Sequence, residues 1–202
     1  MTNYKQAIKS NVDIFDYDEI NMNFELFEFN HPLAILYSSG TTDKPKCICH
    51  RAGGVLLQHI KELYLHCDIN PNDKIFYFTT CGWMMWNWLV SGLASGAVVL
   101  YDGSPGHPDL GTLWRIAERT GITHFGTSPK FLAACSKSKL VPKNVADLSN
   151  FRSLLSTGSP LVSEQFDWVY ENVHSDIQVA SISGGTDIIG CFLAGSPILP
   201  VH

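Results

Sequence analysis

Two segments of this sequence carry residue types suited to phosphate chemistry. The first is Ser38-Ser39-Gly40-Thr41-Thr42-Asp43-Lys44-Pro45-Lys46. Phosphate oxygens are held where small residues let backbone N–H groups approach, hydroxyls add donors and a cation offsets charge. Residues 38–46 supply all three. They do not form a Walker loop, because no second glycine precedes a Lys-Ser/Thr pair after Gly40. Taken alone, the string reads equally well as a polar surface turn between strands. The second segment is Ser181-Ile182-Ser183-Gly184-Gly185-Thr186-Asp187-Ile188, which ends in a hydroxyl and a carboxylate. By itself it is a glycine turn after a strand, with Asp187 bonded to nearby backbone.

Other reactive side chains point elsewhere. Cys47-x-Cys49-His50 has zinc-ligand types, and residues two apart on a strand share a face, but no second ligand pair follows at a suitable spacing. Buried thiols beside a strand are expected instead. His59, His66, His107, His124 and His174 form no HExxH pattern. No Gly-x-Ser-x-Gly elbow is present, since Gly158-Ser159-Pro160 lacks the closing glycine.

Two further strings, Cys81-Gly82-Trp83-Met84-Met85-Trp86-Asn87-Trp88 and Leu155-Ser156-Thr157-Gly158-Ser159-Pro160-Leu161, lie between the two phosphate-type segments. In this order the four resemble the adenylate-forming acyl-CoA synthetase superfamily. Its phosphate loop reads Ser/Thr-Ser-Gly-Ser/Thr-Thr-Gly-x-Pro-Lys, and residues 38–46 depart from it only at Asp43, where relatives have Gly. Asp tolerates left-handed backbone less well than Gly and brings a carboxylate toward the triphosphate. The resemblance assigns Ser38, Ser39, Gly40, Thr41, Thr42, Lys44 and Lys46 to ATP. It sets Gly158, Ser159 and Pro160 beside the adenine, and Gly185 and Thr186 at the nucleotide. Thr186 and Asp187 are the implied catalytic pair, with the Thr186 hydroxyl at the α-phosphate and Asp187 as the metal ligand for Mg²⁺. That chemistry is sound, because Mg²⁺ is commonly bound through one or two carboxylates together with substrate phosphates.

For the acid substrate, the resemblance implies a pocket lined by Trp83, Met84 and Met85; the plain alternative is that Trp and Met clustered on a helix pack the core. Gly184 stands near the place where acetate-activating relatives close the pocket with Trp, implying room for a longer acid. Within the superfamily the strings look most like the subgroup that activates acetoacetate, with CoA as co-substrate, and Cys47 after Pro45-Lys46 also suits that subgroup. The implied reaction is a two-step ligation through an acyl-adenylate. Members continue past the second nucleotide segment to a ribose-binding Asp and a mobile Lys-bearing domain. The chain is therefore expected to be the middle of such a ligase and inactive alone. The alternative is a nucleotide-binding or interaction fragment of the same fold without turnover.

Positioning these loops falls to short apolar runs at 33–37, 74–78, 97–101, 121–125, 152–155 and 177–182, which read as strands, the first of them buried. Between them, 53–66 places Val55, Leu56, Ile60, Leu63 and Tyr64 on one helical face, and 110–119 and 163–172 read as helices. The alternation predicts an α/β fold, a mixed and mostly parallel sheet with flanking helices, with ligands at the carboxyl ends of the strands. The resemblance makes it part of the large N-terminal domain of an adenylate-forming enzyme. Residues 1–30 read as a polar lead-in and 31–202 as a partial AMP-binding domain.

Bulk composition agrees with small-molecule chemistry. The chain of 202 residues is 45% hydrophobic and 16% charged, as a packed domain requires. A net charge of -5 and the lack of any Lys/Arg stripe argue against nucleic acid. Apolar runs fall short of the roughly 20 residues of a membrane span. Six scattered cysteines are too sparse for a disulfide scaffold, so reduced thiols in the cytoplasm are expected. Oligomeric state has no sequence signature here.

Overall fold

A computed structural model describes residues 25–38 and 44–201. The expected first strand forms as Pro32–Ser38 (β1), but it is not buried: it pairs antiparallel with Lys46–Arg51 (β2) in a sheet of two strands. Such a ribbon has one face to cover. Ala34 and Leu36 turn inward, whereas Leu33, Ile35 and Tyr37 are 58%, 58% and 68% exposed. Cys47 lies opposite Tyr37 and Cys49 opposite Ile35, so both thiols share the exposed face rather than the buried setting expected of them.

The chain then enters Ala52–Lys61 (α1), which ends in a π-helical turn at Glu62–His66. The first amides of α1 have no partner within the helix. Ala52 N–H donates to His31 O at 2.8 Å and Gly53 N–H to Phe29 O at 2.9 Å. Residues 25–30 of the lead-in are thus exposed yet tied to a helix end; residues 1–24 lie outside the described residues.

Five parallel strands form the centre: Lys74–Tyr77 (β3), Ala97–Val99 (β4), His124–Thr127 (β5), Ser153–Ser156 (β6) and Gln178–Ser181 (β7), in the order β4-β3-β5-β6-β7. β5 and β6 are buried at every position, as strands covered on both faces must be. Ile75, Tyr77, Leu155 and Ala180 face α1 and Met84–Ser91 (α2). Phe76, Phe125, Leu154 and Val179 face Thr112–Thr120 (α3), Pro129–Lys137 (α4) and Ser163–Asn172 (α5). There the Trp114 ring stacks on Phe125 at 4.8 Å and is fully buried. A short antiparallel pair, Ser183–Gly185 (β8) with Gly190–Leu193 (β9), follows β7.

The run expected at 121–125 begins late, because Gly121 closes α3 in the left-handed conformation (φ 68°). In α4, the Ser128 hydroxyl accepts from Phe131 N–H and Pro129 occupies the first turn. No helix of the described residues is long and apolar enough to cross a membrane.

Candidate active site

The chain reverses direction around β3: β4 lies on one side of it and β5 to β7 on the other. Clefts form at the carboxyl ends of strands at such a reversal. Here a cleft of about 550 Å³ is walled by the segments that leave β3, β6 and β7. Trp83, Met84 and Met85 come from the first, Gly158, Ser159 and Pro160 from the second, and Gly184, Gly185 and Thr186 from the third. Three segments predicted from sequence therefore meet in one place.

Local contacts explain the meeting. Thr157 Oγ1–H donates to Ile182 O at 2.7 Å and Ile182 N–H to Ser156 O at 2.8 Å, locking the ends of β6 and β7 together. Gly158 has φ 101°, a conformation that side chains with a Cβ avoid. A Cβ there would lie 4.0 Å from the Trp83 ring, so the adenine-type segment and Trp83 are neighbours. Trp83 is half-buried and meets Tyr77 edge-on at 6.2 Å. Met84 and Met85 are core residues with 9% and 1% exposure, so packing accounts for most of their surface even though both border the cleft.

Gly184 borders the cleft too, and is constrained from its other side as well. A Cβ would collide with the Gly190 carbonyl oxygen across the β8–β9 pair. With the hairpin in this position, a side chain at 184 requires Gly190 to shift.

Asp187 and the phosphate-type loop are placed differently. Asp187 is exposed and opens onto an adjoining groove of about 890 Å³ bounded by His50, Arg51 and Lys61. Ser38 ends β1, and Lys44 and Lys46 are exposed. Ser39, Gly40, Thr41, Thr42 and Asp43 lie outside the described residues. No group of three or more His, Cys, Asp or Glu side chains among the described residues forms a metal cage. Asp187 nonetheless fits Mg²⁺: it is a hard, exposed oxygen donor without an ion pair among the described residues, and such a metal takes its other ligands from water and phosphate.

Behind the hairpin lies a set of polar residues that motif reasoning passed over. His50 Nε2–H donates to Thr186 O at 2.8 Å. His59 Nε2–H donates to Ile189 O at 2.5 Å, and its Nδ1 sits 2.7 Å from the Ser91 hydroxyl. Burial holds the His59 pKa below its usual value. Glu62, 1% exposed, accepts from Cys191 N–H at 2.8 Å and from Trp88 Nε1–H at 2.9 Å. In sequence, His50 stood out only as a doubtful metal ligand and His59 as one of several scattered histidines. Their shared feature is contact with residues 186–191, which is more than 120 positions away and leaves no spacing signal.

A parallel α/β layer structure with glycine loops converging at its carboxyl edge is the architecture of a nucleotide-using enzyme. The chain belongs to the AMP-binding enzyme family, whose sequence profile matches residues 10–200. It is 55% identical over 179 residues to the acetoacetyl-coenzyme A synthetase of Rhizobium meliloti (strain 1021), covering 88% of this chain and 28% of that one. It is 51% identical over 182 residues to the acetoacetyl-CoA synthetase of Gallus gallus, covering 90% of this chain and 27% of the relative. Malonamoyl-CoA synthetase vrtB of Penicillium aethiopicum is 46% identical over 187 residues, with 85% of this chain and 26% of the relative covered. The solved acetoacetyl-CoA synthetase from Streptomyces lividans matches with TM-score 0.84 and 50% identity over 89% of this chain and 28% of that one. The chain thus spans a little over a quarter of the length of these relatives.

Proposed function

We propose that the protein activates acetoacetate with ATP and passes the acyl group to CoA, this chain supplying the nucleotide and acyl cleft. The observation that carries the proposal is the convergence of Trp83, Gly158 to Pro160, and Gly184 to Thr186 on one cleft at the carboxyl ends of β3, β6 and β7. In the first step an acetoacetate carboxylate oxygen attacks the α-phosphorus of ATP, the bond to the β-phosphate oxygen breaks, and pyrophosphate leaves. In the second, the CoA sulfur attacks the acyl carbon, AMP leaves with its phosphate oxygen, and the thiol proton passes to solvent. Neither step needs a covalent bond to protein.

What the chain contributes is position and charge. The glycine backbone at 158 and 184–185 lets flat and anionic groups approach, and the Thr186 hydroxyl supplies a donor for the α-phosphate. Bound Mg²⁺, held by Asp187, would offset phosphate charge. Lys44, just before β2, and Lys46, its first residue, act in the same sense.

Acetoacetate and malonamate share a carbonyl on the third carbon, which supports a pocket that recognises that group rather than length alone. ATP–pyrophosphate exchange on the complete reading frame, run with acetoacetate, malonamate and acetate, tests this. Exchange with acetoacetate exceeding that with acetate by at least ~10-fold is expected, since one satisfied polar group separates the acids. Equal exchange with acetate, or none with any acid, contradicts the assignment.

A second reading, nucleotide binding without turnover, is favoured by Asp43, a carboxylate where the family carries glycine. A cytosolic setting belongs to the same proposal and is supported by the sparse cysteines.

A further inference from the structure

The turn that carries Thr186 and Asp187 is held in a costly conformation. Ile189, at 2% exposure, has φ 49°. A β-branched side chain in the left-handed region is strained, and such strain persists only where surrounding contacts over-determine it. Those contacts are identifiable. His50 holds the Thr186 carbonyl, which also accepts from Ile189 N–H at 3.3 Å. His59 holds the Ile189 carbonyl, and Glu62 holds Cys191 N–H.

Because a carbonyl only accepts, His59 must carry its proton on Nε2. Its Nδ1 is then the acceptor in the neutral ring that burial favours, 2.7 Å from Ser91 Oγ, whose one proton is shared between this nitrogen and Asn87 O at 3.0 Å. The next position, Gly190, is closed to side chains, since a Cβ would lie 2.7 Å from both Gln58 Nε2 and Glu62 Oε1. Each end of the strained turn is therefore gripped by a buried imidazole from β2 or α1, elements outside the cleft itself.

Resting on the nucleotide reading above, we propose that His50 and His59 are positioning residues, which clamp the turn through the Thr186 and Ile189 carbonyls and so aim the Thr186 hydroxyl and Asp187 carboxylate at Mg²⁺-bound phosphate. They touch neither substrate nor metal, and act through the backbone.

Calorimetric titration of the 202-residue chain with ATP, with and without Mg²⁺, tests this in His50→Leu, His50→Gln and Ser91→Ala. His50→Leu is expected to weaken affinity in the presence of Mg²⁺ by ~10-fold, the loss of one hydrogen bond, and to weaken metal-free affinity by less, since there only the Thr186 hydroxyl is misplaced. His50→Gln, whose amide reaches a similar point with an N–H, is expected to restore most of it. Ser91→Ala removes the hydroxyl that orients the His59 ring at Nδ1, without opening a large hole, and is expected to give the same Mg²⁺-dependent loss in smaller measure. Thermal melts separate this from general destabilisation, which would lower Tm and leave affinity at low temperature unchanged. Unchanged Mg²⁺-dependent affinity in all three variants overturns the clamp while leaving the nucleotide reading intact. Failure of the unaltered chain to bind ATP overturns that reading, and the clamp falls with it.

Discussion

At the scale of single residues, Gly158 shows how backbone freedom is used at the cleft. Gly158 uses a positive φ that a side chain would resist, and sits close to the Trp83 ring. Asp43, which lies outside the described residues, is a charged residue where the phosphate-loop pattern of the resembled superfamily has glycine. A carboxylate within several ångströms of triphosphate oxygens repels them, so Asp43→Gly is expected to tighten ATP binding by ~10-fold at low ionic strength, less at high salt. Titration of ATP against both forms at two salt concentrations reads this out. Equal affinity would remove any ground for treating Asp43 as the cause of a non-catalytic protein.

Among the elements, the β8–β9 hairpin matters most to the site, since it presents Gly184 to Thr186 to the cleft and turns Asp187 to the groove. Its strands are short, and Gly184 lies against the Gly190 carbonyl. Gly184→Ala is therefore expected to destabilise the protein by about 1–3 kcal/mol, by forcing β9 away. Amide exchange at 183–193 faster than in the unaltered chain checks it; unchanged exchange would show that the hairpin accommodates a methyl group.

Elements with local signals were legible in the sequence. The helix at 163–172 and the strands of the parallel sheet are set by nearby apolar residues, and the glycine-rich strings marked the cleft. The rest depended on distant partners. The burial expected at 33–37 failed because an apolar run does not say how many layers will cover it. The hairpin, β2 and the grip of His50 and His59 arise from contacts across the fold, with no periodicity to announce them. Gly184 stood out for the space it leaves beside the acid, and its close approach to Gly190 across the hairpin had no sequence signal.

For the molecule as a whole, buried histidines couple stability to pH. His59 and His124 are both fully buried, and burial lowers the pKa of each below 6.5. His124 Nε2–H donates to Cys67 O at 2.8 Å, which also suits a neutral ring. Groups that bind protons more weakly when folded add stability that is complete above pH 6.5 and lost as pH falls from there through the folded pKa. The slope approaches about 1.4 kcal/mol per pH unit for each histidine. Asp73 acts lower: burial opposes its ionisation, but the Asn70 N–H and the Arg152 guanidinium outweigh it and hold its pKa below 3.8. Denaturant melts from pH 8 to pH 5 should therefore show loss beginning near pH 6.5; a flat profile would mean the rings are solvated.

Residues from the segments that leave β3, β6 and β7 line one cleft, proposed to hold the nucleotide. Backbone amide shifts of the 202-residue chain, recorded during titration with AMP, test it most directly. Saturable shifts grouped at Trp83, 158–159 and 184–187 are predicted. No saturable shift, or shifts confined to surfaces away from these three segments, would contradict it.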